Sequence, residues 1–219
     1  MLSERFQRIR EVLGRRQPDL TVLMDRVNKS HNFSAILRNC DAAGVLEAHV
    51  VLPEKSLPLH HGTSAGTKKW VRVRMHQTIP DAFADLRTLG FRVVAAHPSD
   101  DALDYREFDY TQPTAILVGA ERDGVSAEGL ELADVHVSVP MQGMVRSLNV
   151  SVATSLFLFE AMRQREAAGM YAASRLSPDD FERHLFEWTW PSIASKRRRE
   201  GRPYPKLTEV VVWCGTSSP

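Results

Sequence analysis

Three short stretches concentrate the residues able to do chemistry. NKSHNFSAILRN (28–39) places Asn32 and Arg38 in an otherwise apolar helical pattern. LVGAERDGVS (117–126) leaves an apolar run at Gly119, passes a charged bend containing Glu121, and reaches Gly124. VPMQGMVRSLNVS (139–151) passes Gly143 and puts Ser147 and Asn149 where a helix should begin. A helix start leaves backbone N–H groups without intrahelical partners. Glycine lets a backbone come close to a ligand, and those N–H groups can then donate to its acceptors. Such turns suit an anion or a carboxylate, and they serve equally well as plain capped connections. Neither glycine turn reads GxGxxG or GK[ST], which argues against a dinucleotide or a nucleoside triphosphate.

Within the first stretch, Asn32 and Arg38 lie six residues apart, about 240° around a helix, so they do not share a face if both are inside it. Asn32 reads as the N-cap, reaching forward past the helix end while Arg38 points sideways. An arginine inside AILRNC calls for a partner, although its stem could also lie on apolar surface with the charge in water.

The elements that must hold these residues alternate. Apolar runs at 20–25, 48–53, 91–98, 114–121 and 135–140 read as strands, and 70–76 as a strand with one wet face. Helical patterns cover 3–16, 31–44, 80–90, 126–133 and 147–168, with Gly44 placed as a C-cap glycine. Continuous apolar strands alternating with helices predict an α/β fold, a parallel sheet with helices on both faces. Ligands then bind outside the carboxyl ends of the strands. A further helix starts near Pro178, and the remaining tail is aromatic and basic.

The 219 residues suit one domain with short extensions, and no run of about 18 apolar residues predicts a membrane span. The charged N-terminus does not look like a signal peptide, so a cytoplasmic location is the expectation. Cys40 and Cys214 lack metal-site spacing, and His60-His61 has no third ligand at the usual distance in sequence, so no metal is expected. The net charge is +1, but residues 1–30 hold +3 and residues 196–206 hold +5, which leaves −7 for the rest. Basic ends around an acidic middle suit a polyanion gripped at the ends, or simply solvated faces.

Taken together, the stretches resemble the SPOUT (SpoU-type) RNA ribose methyltransferases. HNFSAILRNCDAAGV resembles the family's motif 1, ILVGAERDGVS its motif 2 and VPMQGMVRSLNVSVA its motif 3, in the family's order. Motif 2 departs slightly at Arg122-Asp123, which should change loop charge and not the reaction. The stretches RRQPDLTVLMDRVNKSHN, DYREFDYTQP and MRQREAAGMY resemble those members that methylate the ribose 2′-hydroxyl of guanosine 18 in the D-loop of tRNA.

The resemblance implies a trefoil-knotted α/β core at 18–170, with the knot in about 91–168, a basic N-terminal helix at 1–17 and an RNA-binding extension at 171–219. It further implies S-adenosylmethionine as methyl donor, tRNA as substrate and a homodimer. Asn32, Arg38, Glu121, Ser147 and Asn149 match the residues tied to catalysis. Ala96, His97, Gly119, Glu121, Val139, Met141, Ser147 and Leu148 match the donor pocket. Arg38 would act either as a base or as a cation that clamps a phosphate and the developing alkoxide. Arg8, Arg10, Arg15, Arg16, Lys196, Arg197, Arg198, Arg199 and Arg202 would hold RNA phosphates. Trp188, Trp190 and Tyr204 would stack on bases or pack the tail. The rival readings are methylation of ribosomal RNA or of the tRNA wobble position, and an RNA-binding module without catalysis.

Overall fold

The computed structural model describes residues 4–52 and 69–205. It divides into two compact units, one spanning Gln17–Met170 and one built from the residues up to Arg16 together with those from Tyr171 onward.

Among the described residues the larger unit holds a seven-stranded sheet in which every pairing is parallel. Its strands are β1 (Leu20–Asp25), β2 (Glu47–Val51), β3 (Arg72–His76), β4 (Arg92–Ala96), β5 (Leu103–Asp104), β6 (Thr114–Val118) and β7 (Val135–Ser138), in the order β3-β2-β1-β6-β4-β7-β5. Neighbours β1 and β6 run in register from Leu20 opposite Thr114 to Met24 opposite Val118. All six residues of β1 and all five of β6 are buried, which is why both read as unbroken apolar runs. Helices α2 (Ser30–Ala42) and α5 (Val150–Ala167) pack together, and Phe33, Ile36, Leu37, Phe157 and Leu158 join one core cluster with β1 and β6. A second cluster joins α3 (Ile79–Thr88), through Ala82, Phe83 and Leu86, to Leu23, Val93, Ala115 and Leu117. α4 (Ala127–Leu132) is capped by Ser126, whose hydroxyl accepts from the N–H of Gly129. No helix among the described residues is long and apolar enough to cross a membrane.

Four strands stop two or three residues earlier than their apolar runs suggest, β2 at Val51, β4 at Ala96, β6 at Val118 and β7 at Ser138. β6 ends at Val118 because the chain folds into a tight turn in which Ala120 and Gly124 exchange backbone hydrogen bonds of 2.9 Å in both directions. β4 ends at Ala96, ahead of Pro98. The two-residue strand β5 left no periodic signal to read.

β2 and β3 carry a buried histidine pair, His49 Nδ1 lying 2.8 Å from His76 Nε2. Neutral rings can share that contact as donor and acceptor, and two imidazoliums cannot. Burial, followed by His76 and Arg74 and opposed by Asp85, pushes His49 down to about 4; burial also lowers His76, against Asp85. The unfolded rings take up protons near pH 6.5, before the folded ones do. The stabilisation is therefore complete above pH 6.5 and is lost as pH falls toward 4, on the order of 2–3 kcal/mol. The melting temperature should drop by about 5–10 °C between pH 7 and pH 4.5. A His49→Asn/His76→Asn variant should lose the part of that drop lying above pH 5, and an equal drop in both proteins would acquit the pair.

In the smaller unit, α1 (Glu4–Gly14) buries Phe6, Ile9 and Leu13 and packs on α6 (Pro178–Thr189), and α6 is followed by α7 (Pro191–Arg199). The rings of Phe6 and Trp190 lie 6.2 Å apart, and Phe186 stacks on Tyr204 at 4.8 Å. α7 was hidden in the sequence because Pro191 reads as a breaker, whereas it sits in the first turn, where proline is tolerated.

Candidate active site

The sheet order makes the site. β6, β4 and β7 are neighbours, so the loops leaving their carboxyl ends converge. Between them lies a cavity of about 310 Å³. Ala96 lines it from the end of β4, His97 and Pro98 from the loop after β4, Gly119 to Val125 from the loop after β6, and Val139, Met141, Arg146, Ser147 and Leu148 from the loop after β7. All eight residues expected to form the donor pocket are among them.

The loop after β1 joins this site because β1 is the next strand beside β6. Asp25 ends β1 and is buried; its carboxylate accepts 2.7 Å from the N–H of Ser126 and 3.1 Å from Arg26 Nε. Arg26 then turns the chain with φ 54°, in the left-handed region that few side chains adopt. Asp25 was not singled out from the sequence, although an acid closing the run LTVLM was a signal.

Asn32 is not the N-cap. Lys29 holds that position, and Asn32 lies inside the first turn of α2, 2% exposed. The helix begins earlier than the apolar stripe suggests, so Asn32 and Arg38 are both helical and face different ways. Asn32 Nδ2 donates to Glu121 Oε2 at 3.3 Å, and Asn149 Nδ2 donates to Asn32 Oδ1 at 3.2 Å. Lys29 is ion-paired to the same Glu121 oxygen. This pairing, foremost through the Lys29 hydrogen bond and against some desolvation, holds the Glu121 carboxyl below the usual carboxylate range.

α5 starts at Val150, later than the sequence suggests, so Ser147 stands in the loop and Asn149 is the cap. Asn149 Oδ1 accepts from the N–H of Ser151 at 2.9 Å, and that hydrogen bond fixes the helix start at Val150. Asn39 of α2 donates to the Ser151 carbonyl at 2.9 Å. Residues from all three stretches are thus tied together. Arg38 is the exception: it is exposed on α2 and does not line the cavity.

In the smaller unit, Arg8, Arg10, Arg15, Lys196, Arg198, Arg199 and Arg202 are exposed. Arg198 is committed at 2.7 Å to Glu187, and half-buried Arg197 to the Pro203 carbonyl at 2.8 Å. Arg16 departs from the expected phosphate-binding set. It is fully buried, its guanidinium 5.1 Å from the ring centre of Trp188, a cation–π contact that removes it from the surface. Among the described residues no cluster of three His, Cys, Asp or Glu side chains could hold a metal. His60, His61, Cys214 and Lys206 lie outside those residues.

Residues 19–159 match the SpoU rRNA Methylase family, and 163–210 match the SpoU rRNA methylase C-terminal family. The chain belongs to the SpoU methylase family. It is 49% identical over 211 residues to the tRNA (guanosine(18)-2′-O)-methyltransferase of Escherichia coli K12, covering 95% of this chain and 92% of that protein. A solved TrmH/SpoU tRNA modifying enzyme of A. aeolicus superposes with a TM-score of 0.81 at 42% identity, over 87% of this chain and 97% of that one. The SpoU methyltransferase AviRb of Streptomyces viridochromogenes, solved with the cofactor AdoMet, superposes at 0.61 with 30% identity, over 69% of this chain and 60% of that one.

Proposed function

We propose that this chain transfers a methyl group from S-adenosylmethionine to the ribose 2′-hydroxyl of guanosine 18 in tRNA. The observation that carries the reading is the cavity at the ends of β4, β6 and β7, with Asn32, Glu121 and Asn149 hydrogen-bonded in series beside it. The cavity walls suit the donor. A backbone turn at Gly119 closes so tightly that no side chain fits there, and Glu121 and Ser147 offer polar groups among apolar Val139, Met141 and Leu148. Once bound, the donor supplies an already activated methyl group on a sulfonium. What remains for the chain is alignment and loss of the hydroxyl proton. Asn32 and Asn149 orient the substrate side, Glu121 and Ser147 the cavity side. Arg38 clamps the neighbouring phosphate and the oxygen as it gains negative charge.

Because Arg38 does not line the cavity, a second copy is the natural source of the arginine, and we read the protein as a homodimer. The outer face of α5 supports this, with Val152 47% and Phe159 46% exposed. We take the 91–168 segment as the family's trefoil knot, Arg8, Arg10, Arg15, Lys196, Arg199 and Arg202 as the phosphate-gripping set, and the cytoplasm as the location.

Incubation with labelled methyl donor and total tRNA, followed by nucleoside analysis, tests the reaction. 2′-O-methylguanosine at position 18 is the expected product. Label on a base, or only on ribosomal RNA in a parallel reaction, would overturn the assignment.

Gly119→Ala tests the cavity. A Cβ there would sit 1.9 Å from the carbonyl carbon of Gly124 and 2.1 Å from the nitrogen of Val125, both backbone atoms that cannot step aside. The turn must open, and donor affinity should fall at least about tenfold by calorimetry, with the circular dichroism spectrum preserved. Unchanged affinity would place the donor elsewhere.

A further inference from the structure

We infer that Lys29 is a positioning residue for methyl transfer: it holds one oxygen of Glu121, next to Asn32, so that the carboxylate stays fixed in the cavity wall. This rests on the donor-binding reading above. Lys29 was not among the residues singled out from the three motifs.

The argument begins with a local rule that is broken. Lys29 occupies the N-cap position of α2 and makes no side-chain cap. At the same position of α3, α4, α5 and α6, Thr78, Ser126, Asn149 and Ser177 each accept from a backbone N–H, and among the described caps only the apolar Trp190 of α7 also lacks one. A lysine forgoes that hydrogen bond and puts a cation at the positive end of the helix dipole. Local rules broken without local gain mark functional positions.

The compensation is the pairing with Glu121. Lys29 and Asn32 both bind Oε2, while Oε1 has no hydrogen-bond partner among the described residues. One oxygen is thereby anchored by α2 and the other is left for a ligand in the cavity that Glu121 lines. The anchor extends through Asn32 to Asn149, so Lys29 bears on the cap of α5 as well. The Lys29 side chain is 46% exposed, so replacing it leaves the core intact.

The rival role is a direct contact with an RNA phosphate, and kinetics separate the two. Lys29→Met should lower kcat roughly tenfold with little change in KM for tRNA, and Lys29→Arg should restore most of it. In a Glu121→Gln background, Lys29→Met should add almost nothing, since the anchored group is already altered. A raised KM with unchanged kcat, or effects that simply multiply, would overturn the inference. Calorimetry with S-adenosylhomocysteine gives a readout independent of turnover. Lys29→Met should weaken its binding several-fold, roughly fivefold, with recovery in Lys29→Arg. If the parent protein methylates no RNA, the proposed function fails, and this binding comparison still decides the role of Lys29; equal affinity in parent and variant would end it.

Discussion

Arg38→Ala is expected to lower turnover by about 10²–10³-fold while leaving S-adenosylmethionine affinity nearly unchanged. The asymmetry follows from where Arg38 stands. It is exposed on α2 and absent from the cavity wall, so the donor site is complete without it. Among the described residues its guanidinium has no hydrogen bond or ion pair, so it is available to a phosphate or an alkoxide that arrives with the RNA. A guanidinium keeps its proton in ordinary protein surroundings, which favours the clamp over the base. Arg38→Lys should recover only part of the rate, because a point charge lacks the two-pronged geometry. Single-turnover assays with labelled donor, paired with calorimetry, check both halves. Near-normal turnover would remove Arg38 from the chemistry altogether, and lost donor affinity would move it into the cavity.

Arg165→Ala is expected to cost about 3–5 kcal/mol of stability. Arg165 is fully buried near the end of α5. Its Nε donates to the Tyr110 carbonyl at 2.9 Å, one terminal nitrogen to Asp19 Oδ1 at 2.6 Å and Gln17 Oε1 at 3.1 Å, and the other to the carbonyls of Asp19 and Gln112, both at 3.0 Å. Removing the guanidinium leaves a carboxylate and several carbonyls facing an empty space. That is the costly way to break a buried pair, because the desolvation of the remaining groups goes uncompensated. The melting temperature should fall by about 10 °C or more in a chain of this size. Arg165→Lys should regain a minority of the loss, since three donors cannot reach five acceptors. A melting temperature within about 2 °C of the parent would show that the network holds little.

Arg165 also marks the limit of what the sequence disclosed. Period and composition exposed the elements: β1 and β6 as apolar runs, α2 by its Phe33–Ile36–Leu37–Cys40 stripe, and the three turns by their glycines and amides. They could not expose a buried arginine, because MRQREA reads as the polar end of a helix and the acceptors lie more than fifty residues away in sequence. Lys29 and Asp25 escaped for the same reason, their partners Glu121 and Ser126 being brought beside them by the β1–β6 pairing. Asn32 was recognised by type but placed one turn too early. Apolar spacing locates the middle of a helix better than its first residue. A basic run such as Arg15-Arg16 reads alike in sequence whether it faces water or, as at Arg16, an indole ring.

The hydrogen bonds that close the site join residues far apart in the chain: 89 positions for Asn32 and Glu121, 101 for Asp25 and Ser126, and 117 for Asn32 and Asn149. Pairings of such long range form slowly and late. A growing polypeptide that has emerged only through β7 already holds every described strand of the sheet, yet lacks Asn149 and the Arg165 tether. It should have no grip on the methyl donor, so affinity for that small molecule becomes a gauge of how completely each newly made chain has matured.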